Sequence, residues 1–327
     1  MLKPGRGMIL LFAVAMACVN WWSLGSFAQS YPVKPIRLIV GYSPGGGTDV
    51  SARAVAQKLT ESLGQTVVVE NRPGATGAIA AERVATSPAD GYTLLMNSAN
   101  DMILPAVRSK LPFNVERDFA PVSLVVIAPM AIIVHPSVPA QNVKQLLALA
   151  RSRPGKLSFG SAGTGNTTHL AGELFKFMAK VNIIHVPYKG ASDHLIATAA
   201  GQLEMSIASV AAATPMLKVG KLRALAVTSA KRVSSVPALP TLGESGLPGF
   251  DYASWFGVAA PAGVPKDIIA RLNTEIGKAV NTPEMKEWFS KLGLEVETNT
   301  PEEFSTFIHS EIVKNAKLVE FAGVKPD

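Results

Sequence analysis

The chain has 327 residues, of which 48% are apolar and 17% charged, with a single cysteine and a formal charge of +7. That balance excludes a disordered tail protein, and one cysteine excludes a disulfide framework or a cysteine-ligated zinc site. The length suits about two domains of ~150 residues each, while the positive charge alone leaves nucleic acid, an acidic membrane surface and an anionic small ligand all open.

The first residues read as a targeting segment rather than as fold. Lys3 and Arg6 form a short positive region, residues 8–19 are an apolar run, and Ser26-Phe27-Ala28 places small residues where a signal peptidase reads. The run is too short to cross ~30 Å of hydrocarbon comfortably. Lipid attachment at Cys18 is disfavoured, because Ala15-Met16-Ala17 fits a lipobox poorly. Cleavage after Ala28 removes two cations and no acid, so the charge falls from +7 to +5, and the only cysteine leaves with it. The mature protein is expected to be soluble and extracytoplasmic.

Beyond residue 28 the pattern predicts a strand over 36–40, a glycine-rich loop over 41–47, and a helix over 49–63. That helix puts Ala52, Val55, Leu59 and Leu63 on one face and stops at Gly64. A strand over 66–69, the loop Asn71-Arg72-Pro73-Gly74, a helix over 76–85, a turn over 87–91 and a strand over 93–96 follow. This βαβαβ order predicts a parallel sheet with helices on both faces. The same order returns ~118 residues on: a strand over 157–159, a glycine-rich loop over 160–165, a helix over 167–179, a strand over 183–186, a helix over 192–200 and a strand over 203–208. Two readings stand, a true internal repeat or the general likeness of any two α/β units. Extended stretches over 121–135 and 252–261 are placed to cross between two lobes, and helices over 265–280, 283–292 and 301–321 each begin at a proline. The expected organisation is a signal peptide over 1–28, a first lobe over 29–128, a second lobe over 129–256 and a return to the first over 257–327.

The loop Tyr42-Ser43-Pro44-Gly45-Gly46-Gly47-Thr48-Asp49 lies between the carboxyl end of a strand and the amino end of a helix, where open α/β sheets bind ligands. Glycines let a ligand approach the backbone, and the first-turn N–H groups together with the helix dipole favour an anion. Asp49 is better suited to capping its own helix than to meeting an anion. The second-lobe counterpart, Ser161-Ala162-Gly163-Thr164-Gly165-Asn166-Thr167-Thr168, offers hydroxyls and an amide, with Asn166 or Thr167 also a credible helix cap. Two such loops imply a ligand held between lobes that close by a hinge. Asn97, Ser98 and Ser209 end strands and are expected to face the cleft, with Tyr188 nearby; strand-end capping accounts equally well for each one alone. Arg72 and Lys189 are candidates for attracting an anion, although each also suits a solvated surface.

Catalytic readings fare worse. Gly41-Tyr42-Ser43-Pro44-Gly45 fits G-x-S-x-G, but the residue after a nucleophilic serine must give an oxyanion-hole N–H, and Pro44 has none. Gly163-Thr164-Gly165 starts a dinucleotide fingerprint that lacks its third glycine at Thr168, and no P-loop motif occurs. His169 and Glu173, four apart on a helix, suit a local pair better than metal ligation. The basic residues form no run with interleaved aromatics, so nucleic acid is not expected as a partner, and no cofactor is expected either.

At these loops the chain resembles the receptors of the tripartite tricarboxylate transporter family, also called Bug proteins. The matching segments begin with Tyr31-Pro32, Pro44-Gly45-Gly46-Gly47-Thr48-Asp49, Glu70-Asn71-Arg72-Pro73-Gly74-Ala75 and Ala89-Asp90-Gly91-Tyr92-Thr93-Leu94. They continue through Gly160-Ser161-Ala162-Gly163-Thr164-Gly165, His169-Leu170, Val186-Pro187-Tyr188-Lys189-Gly190, Gly246-Leu247-Pro248-Gly249-Phe250 and Trp255-Phe256-Gly257. Asn166-Thr167 departs from the serine often found there. The resemblance implies an α/β, bilobed periplasmic-binding-protein fold of the Venus-flytrap kind (type II), with two mostly parallel, doubly wound sheets joined by two hinge strands. It also implies a monomeric receptor, without catalysis, that grips a small carboxylate (a di- or tricarboxylate, an amino acid or an aromatic acid) through the two glycine-rich loops. The partners it implies are the membrane subunits of a tripartite transporter. A ligand sensor for a membrane signalling kinase is the alternative, and a hydrolase using the same cleft a more remote one.

Overall fold

The computed structural model describes residues 31–326; the expected signal peptide and its cleavage site lie outside them. The first lobe begins with β1 (Ile36–Val40), α1 (Gly47–Leu63), β2 (Val67–Asn71), a 3₁₀ turn (Ala75–Gly77), α2 (Ala78–Ala85), β3 (Thr93–Ser98), a second 3₁₀ turn (Ala99–Met102) and α3 (Leu104–Val107). The chain leaves through β4 (Phe119–Ala128) and enters the second lobe through β5 (Met130–Val134). There it forms α4 (Val143–Ser152), β6 (Ser158–Ser161), α5 (Thr167–Ala179), β7 (Ile184–Pro187), α6 (Ala191–Ala199), β8 (Met205–Ser209), α7 (Val210–Lys218) and β9 (Arg223–Val227). It returns through β10 (Ser254–Pro261) and ends with α8 (Lys266–Val280), α9 (Pro283–Lys291), β11 (Glu295–Val296) and α10 (Pro301–Phe321).

The two sheets share one plan. The first has the order β11-β4-β10-β3-β1-β2, the second β7-β6-β8-β5-β9. In each, three parallel strands (β2-β1-β3 and β7-β6-β8) are followed by one strand running the other way, β10 or β5, and then by a strand in the original direction, β4 or β9. The reversed strand is in each case the one that has just arrived from the other lobe, so it enters its sheet from the opposite end. The internal echo in the sequence is thus a repeat of topology. The sheets are mixed, with the crossing strands supplying the antiparallel pairs. The expected division after Phe256 falls inside β10, because Ser254 already pairs with Ala128 in the first sheet.

Both faces of each sheet are covered, so its strands read as nearly continuous apolar runs. β5 is buried throughout, and its residues alternate between two cores: Met130, Ile132 and Val134 on one face, Ala131 and Ile133 on the other. This explains why residues 124–134 form a long apolar stretch without spanning a membrane; no helix among the described residues is long and apolar enough to cross one.

The last helix ties the lobes together. α10 starts in a capping box, Thr300 with Glu303. Its first turns place Phe304 and Ile308 in the first-lobe core, and its last turns place Leu318 and Val319 in the second-lobe core. Between them, Glu311 accepts a hydrogen bond from Trp255 Nε1 at 3.2 Å, and Asn315 Oδ1 accepts one from the Tyr252 hydroxyl at 2.7 Å. The return crossing is therefore pinned to α10 by two buried aromatic side chains.

Gly257, on β10, lets α10 approach: a Cβ there would lie 2.4 Å from the Phe304 ring and 2.9 Å from the Ser123 carbonyl oxygen. Gly257→Ala is expected to destabilise the protein by about 1–3 kcal/mol through overpacking, read as a lowered midpoint in thermal or urea unfolding; an unchanged midpoint contradicts this account of the contact.

Candidate ligand-binding site

β1 ends against the loop 41–46, and α1 then begins on Gly46, which caps the helix without any side-chain acceptor for the first-turn N–H groups. Gly45 adopts φ +85°, a left-handed conformation that glycine takes at little cost. Residues Ser43 to Gly47 are exposed, whereas Thr48 and Asp49 are buried. Asp49, 2% exposed, turns back under the loop: it accepts from Gly45 N at 2.9 Å, Asn71 Nδ2 at 2.8 Å and Arg53 Nε at 3.0 Å. Burial alone would raise its pKa, but these three donors outweigh burial and hold it below the usual carboxylate range. Asp49 is thus a brace for the loop with its charge matched by Arg53, leaving the uncapped N–H groups of α1 as the feature open to an anion.

The second loop is built differently. Asn166 caps α5 by accepting from His169 N at 3.0 Å, and Thr168 Oγ1 accepts from Ala162 N at 2.9 Å. Gly165 N donates to His169 Nδ1 at 3.1 Å. Ser161, fully buried, hydrogen-bonds His185 Nε2 at 2.6 Å, donates to the Gly163 carbonyl at 3.1 Å and accepts from Gly163 N at 3.3 Å. The His185 ring stacks on His169 at 3.8 Å, and His169 Nε2 lies 3.6 Å from Glu173. Ser161 is therefore occupied by Gly163 and by His185 of β7, and Asn166 by its own helix start, as is much of the loop's backbone. Thr164 stands exposed at its tip. Tyr188 lies beside the loop, donating from its backbone N to the Ser161 carbonyl at 2.9 Å.

The 3₁₀ turn Ala99–Met102 meets both loops. The Tyr42 hydroxyl hydrogen-bonds Ser98 Oγ at 2.9 Å and donates to Asp101 Oδ1 at 3.3 Å, while Thr167 N of the second lobe donates to Asn100 Oδ1 at 3.2 Å. Asp101 also accepts from Ser98 N at 2.7 Å, and burial pushes its pKa up to about 7 against the lowering effect of its donors. The opening Ser98-x-x-Asp101 is a capping-box signature that reveals this turn in the sequence.

Other candidate residues have their own places in the fold. Asn97 points to the opposite face of β3 from Ser98, as the strand period requires, and lines a cavity inside the first lobe with Leu95, Phe113 and Phe119. The carboxyl-end rule locates the end of a strand but does not fix a side chain's face. Ser209 caps α7, accepting from Ala212 N at 3.2 Å. Arg72 is ion-paired with Glu70, and Lys189 is exposed. The structure adds a position that sequence reasoning left out: α6, like α1, starts on a glycine without a side-chain cap, Gly190, two residues beyond Tyr188. The glycine between strand and helix was the signal for it.

This arrangement, two α/β lobes with glycine-capped helix ends at strand termini, is that of a bilobed binding protein. Residues 51–324 match the family model described as tripartite tricarboxylate transporter family receptor. The chain is 37% identical over 300 residues to protein BugT of Bordetella pertussis, spanning 91% of this chain and 92% of that one. Among solved structures it is similar to Rpa4515 of R. palustris with adipate (36% identity, TM-score 0.80, 91% of this chain and 100% of that one). It is also similar to MatC of Rhodopseudomonas palustris with bound malate (29% identity, TM-score 0.74, 88% of this chain and 100% of that one). The chain belongs to the tripartite tricarboxylate transporter receptor family, whose members are periplasmic solute-binding proteins of the Bug type.

Burial and the neighbouring His169 pull the pKa of His185 down to about 4. A histidine kept neutral in the fold stabilises it above pH ~6.5 and loses that contribution as the pH falls toward 4. The melting temperature of His185→Gln is expected to lie below that of the wild type at pH 7.5 and to approach it at pH 5. A gap that stays constant across this range sinks the assignment.

Proposed function

We propose that the protein is an extracytoplasmic receptor for a small carboxylate, with dicarboxylates the first candidates, and that it delivers this ligand to the membrane subunits of a tripartite tricarboxylate-type transporter. The observation that carries the reading is the glycine-capped start of α1, with Asp49 neutralised beneath it. Backbone N–H groups at Gly46, Gly47 and Thr48 receive one carboxylate, favoured by the helix dipole. The second lobe contributes Thr164, Tyr188 and the uncapped start of α6 at Gly190, where a second carboxylate finds similar N–H groups. The adipate and malate held by two similar proteins support a dicarboxylate. The lobes move about the points where β4 gives way to β5 and where the chain returns into β10, with α10, whose two ends are buried in different cores, spanning both.

The test is titration calorimetry of the mature protein against adipate, malate and their uncharged diamides. Saturable binding of a diacid, without turnover and without binding of its diamide, is expected. The matched variant is Gly46→Asp. Gly46 has negative φ and only the Ser43 carbonyl oxygen within reach, at 3.7 Å, so a side chain fits. Aspartate is itself a good helix cap, so the variant is expected to melt no lower than the wild type. Its carboxylate occupies the anion position, and diacid affinity is expected to drop by at least about tenfold. Undiminished affinity in a folded Gly46→Asp protein overturns the site.

A further inference from the structure

α5 and the second half of α10 pack against each other and leave an aromatic ridge in solvent. Phe177 of α5 is 58% exposed and Phe321 of α10 is 48% exposed, and the two rings meet edge to face at 4.9 Å. Neither ring belongs to the core of the second lobe, to which the same helices give Phe175, Leu318 and Val319. An open depression of about 600 Å³ lies on each side of the ridge. The first is lined by Leu174, Val313 and Leu318, the second by Met178, Val181 and Leu247. Large apolar side chains left together on a surface and rimmed by polar ones mark an interaction site.

The rim is cationic. Lys314 and Lys317 border the first depression, and Lys176 and Lys180 the second. Lys176 is paired with Glu173 at 2.7 Å and Lys314 with Glu311, whereas Lys180 and Lys317 are exposed and have no acidic partner among the described residues. His309, also on the first depression, is paired with Glu116. Among the described residues no acid lines either depression; Glu320 is exposed next to Phe321 but borders neither. A partner must therefore bring apolar side chains for the depressions and carboxylates for the lysines. A second copy presenting the same face would set lysines against lysines. A flat lipid surface meets the ridge but does not enter the hollows beside it.

We propose that this face of α5 and α10 is a docking site for another protein, through a segment that carries an aromatic or branched aliphatic side chain between acidic residues. The apolar side chain packs against Phe177 and Phe321, and the flanking carboxylates pair with Lys180 and Lys317. Thr167 to Phe177 spans about 15 Å of helix, so this face is distinct from the glycine-rich loop at the start of α5.

The experiment is selection of a displayed random-peptide library on the mature protein, run in parallel on Phe177→Ser/Phe321→Ser. Both rings lie outside the core, so that variant is expected to keep the wild-type melting temperature. Peptides enriched on the wild type are expected to carry an aromatic or branched aliphatic residue between Asp or Glu residues, and to be absent from the pool selected on the variant. One such peptide, followed by fluorescence anisotropy, is expected to lose affinity at least about tenfold on Lys180→Gln/Lys317→Glu and to bind more weakly as salt is raised. Should the aromatic variant fail to fold, the lysine variant replaces it in the selection. Identical pools on the two proteins overturn the proposal, as do enriched peptides without acidic residues, or an affinity that the lysine variant leaves intact. Phosphatidylglycerol vesicles that sediment the wild type but not the aromatic variant overturn it in favour of a membrane. A dimer that the aromatic variant dissociates overturns it in favour of a second copy.

Discussion

One helix holds both halves of this protein. The two ends of α10 are buried in different cores, Phe304 and Ile308 in the first lobe and Leu318 and Val319 in the second. Removing a side chain of this size from a packed core typically costs about 2–5 kcal/mol, so neither end detaches during a ligand-driven motion of a few kcal/mol. Near the middle of α10, Trp255 and Tyr252 anchor the return crossing to Glu311 and Asn315.

The two glycine-rich loops look alike in sequence yet are built differently. In the first, the polar side chain that could fill the helix end, Asp49, is drawn below the loop by Arg53, Asn71 and Gly45. The helix end stays open. In the second, Ser161, Asn166, Thr168 and His169 close a compact hydrogen-bonded unit. The first loop thus presents open backbone donors and the second a hydrogen-bonded wall, with exposed Thr164 at its tip.

The local elements were legible because their signals are local. The helices over 167–179 and 301–321 follow from apolar spacing and their caps, and they coincide with α5 and α10. What the sequence does not carry is partnership over long separations. Nothing near β10 announces that it slots between β3 and β4, and nothing near β5 that it parts β8 from β9. The same limit applies to the site. The glycine-rich loops stand out because glycine reports directly on the backbone, whereas the roles of Asn97, Ser161 and Ser209 depend on neighbours brought in by the fold. Asn97 sits at the expected strand end but on the other face, and the hydroxyls of Ser161 and Ser209 are taken by partners a few residues away or one strand over.

The shared plan of the two sheets also sets an order of assembly. The second sheet contains only strands made consecutively, β5 to β9, so all of its strands are present once residue 227 has been synthesised. In the first sheet β4 pairs only with β10 and β11, both made after the second lobe. Until the chain extends past Pro261, β4 has no hydrogen-bonding neighbour and β3 keeps an open edge. The first sheet is consequently the later of the two to have all its strands, although its residues begin first along the chain. The sheet whose strands begin first along the chain is thus the one whose last strand, β11 at Glu295–Val296, comes about nine-tenths of the way to the end.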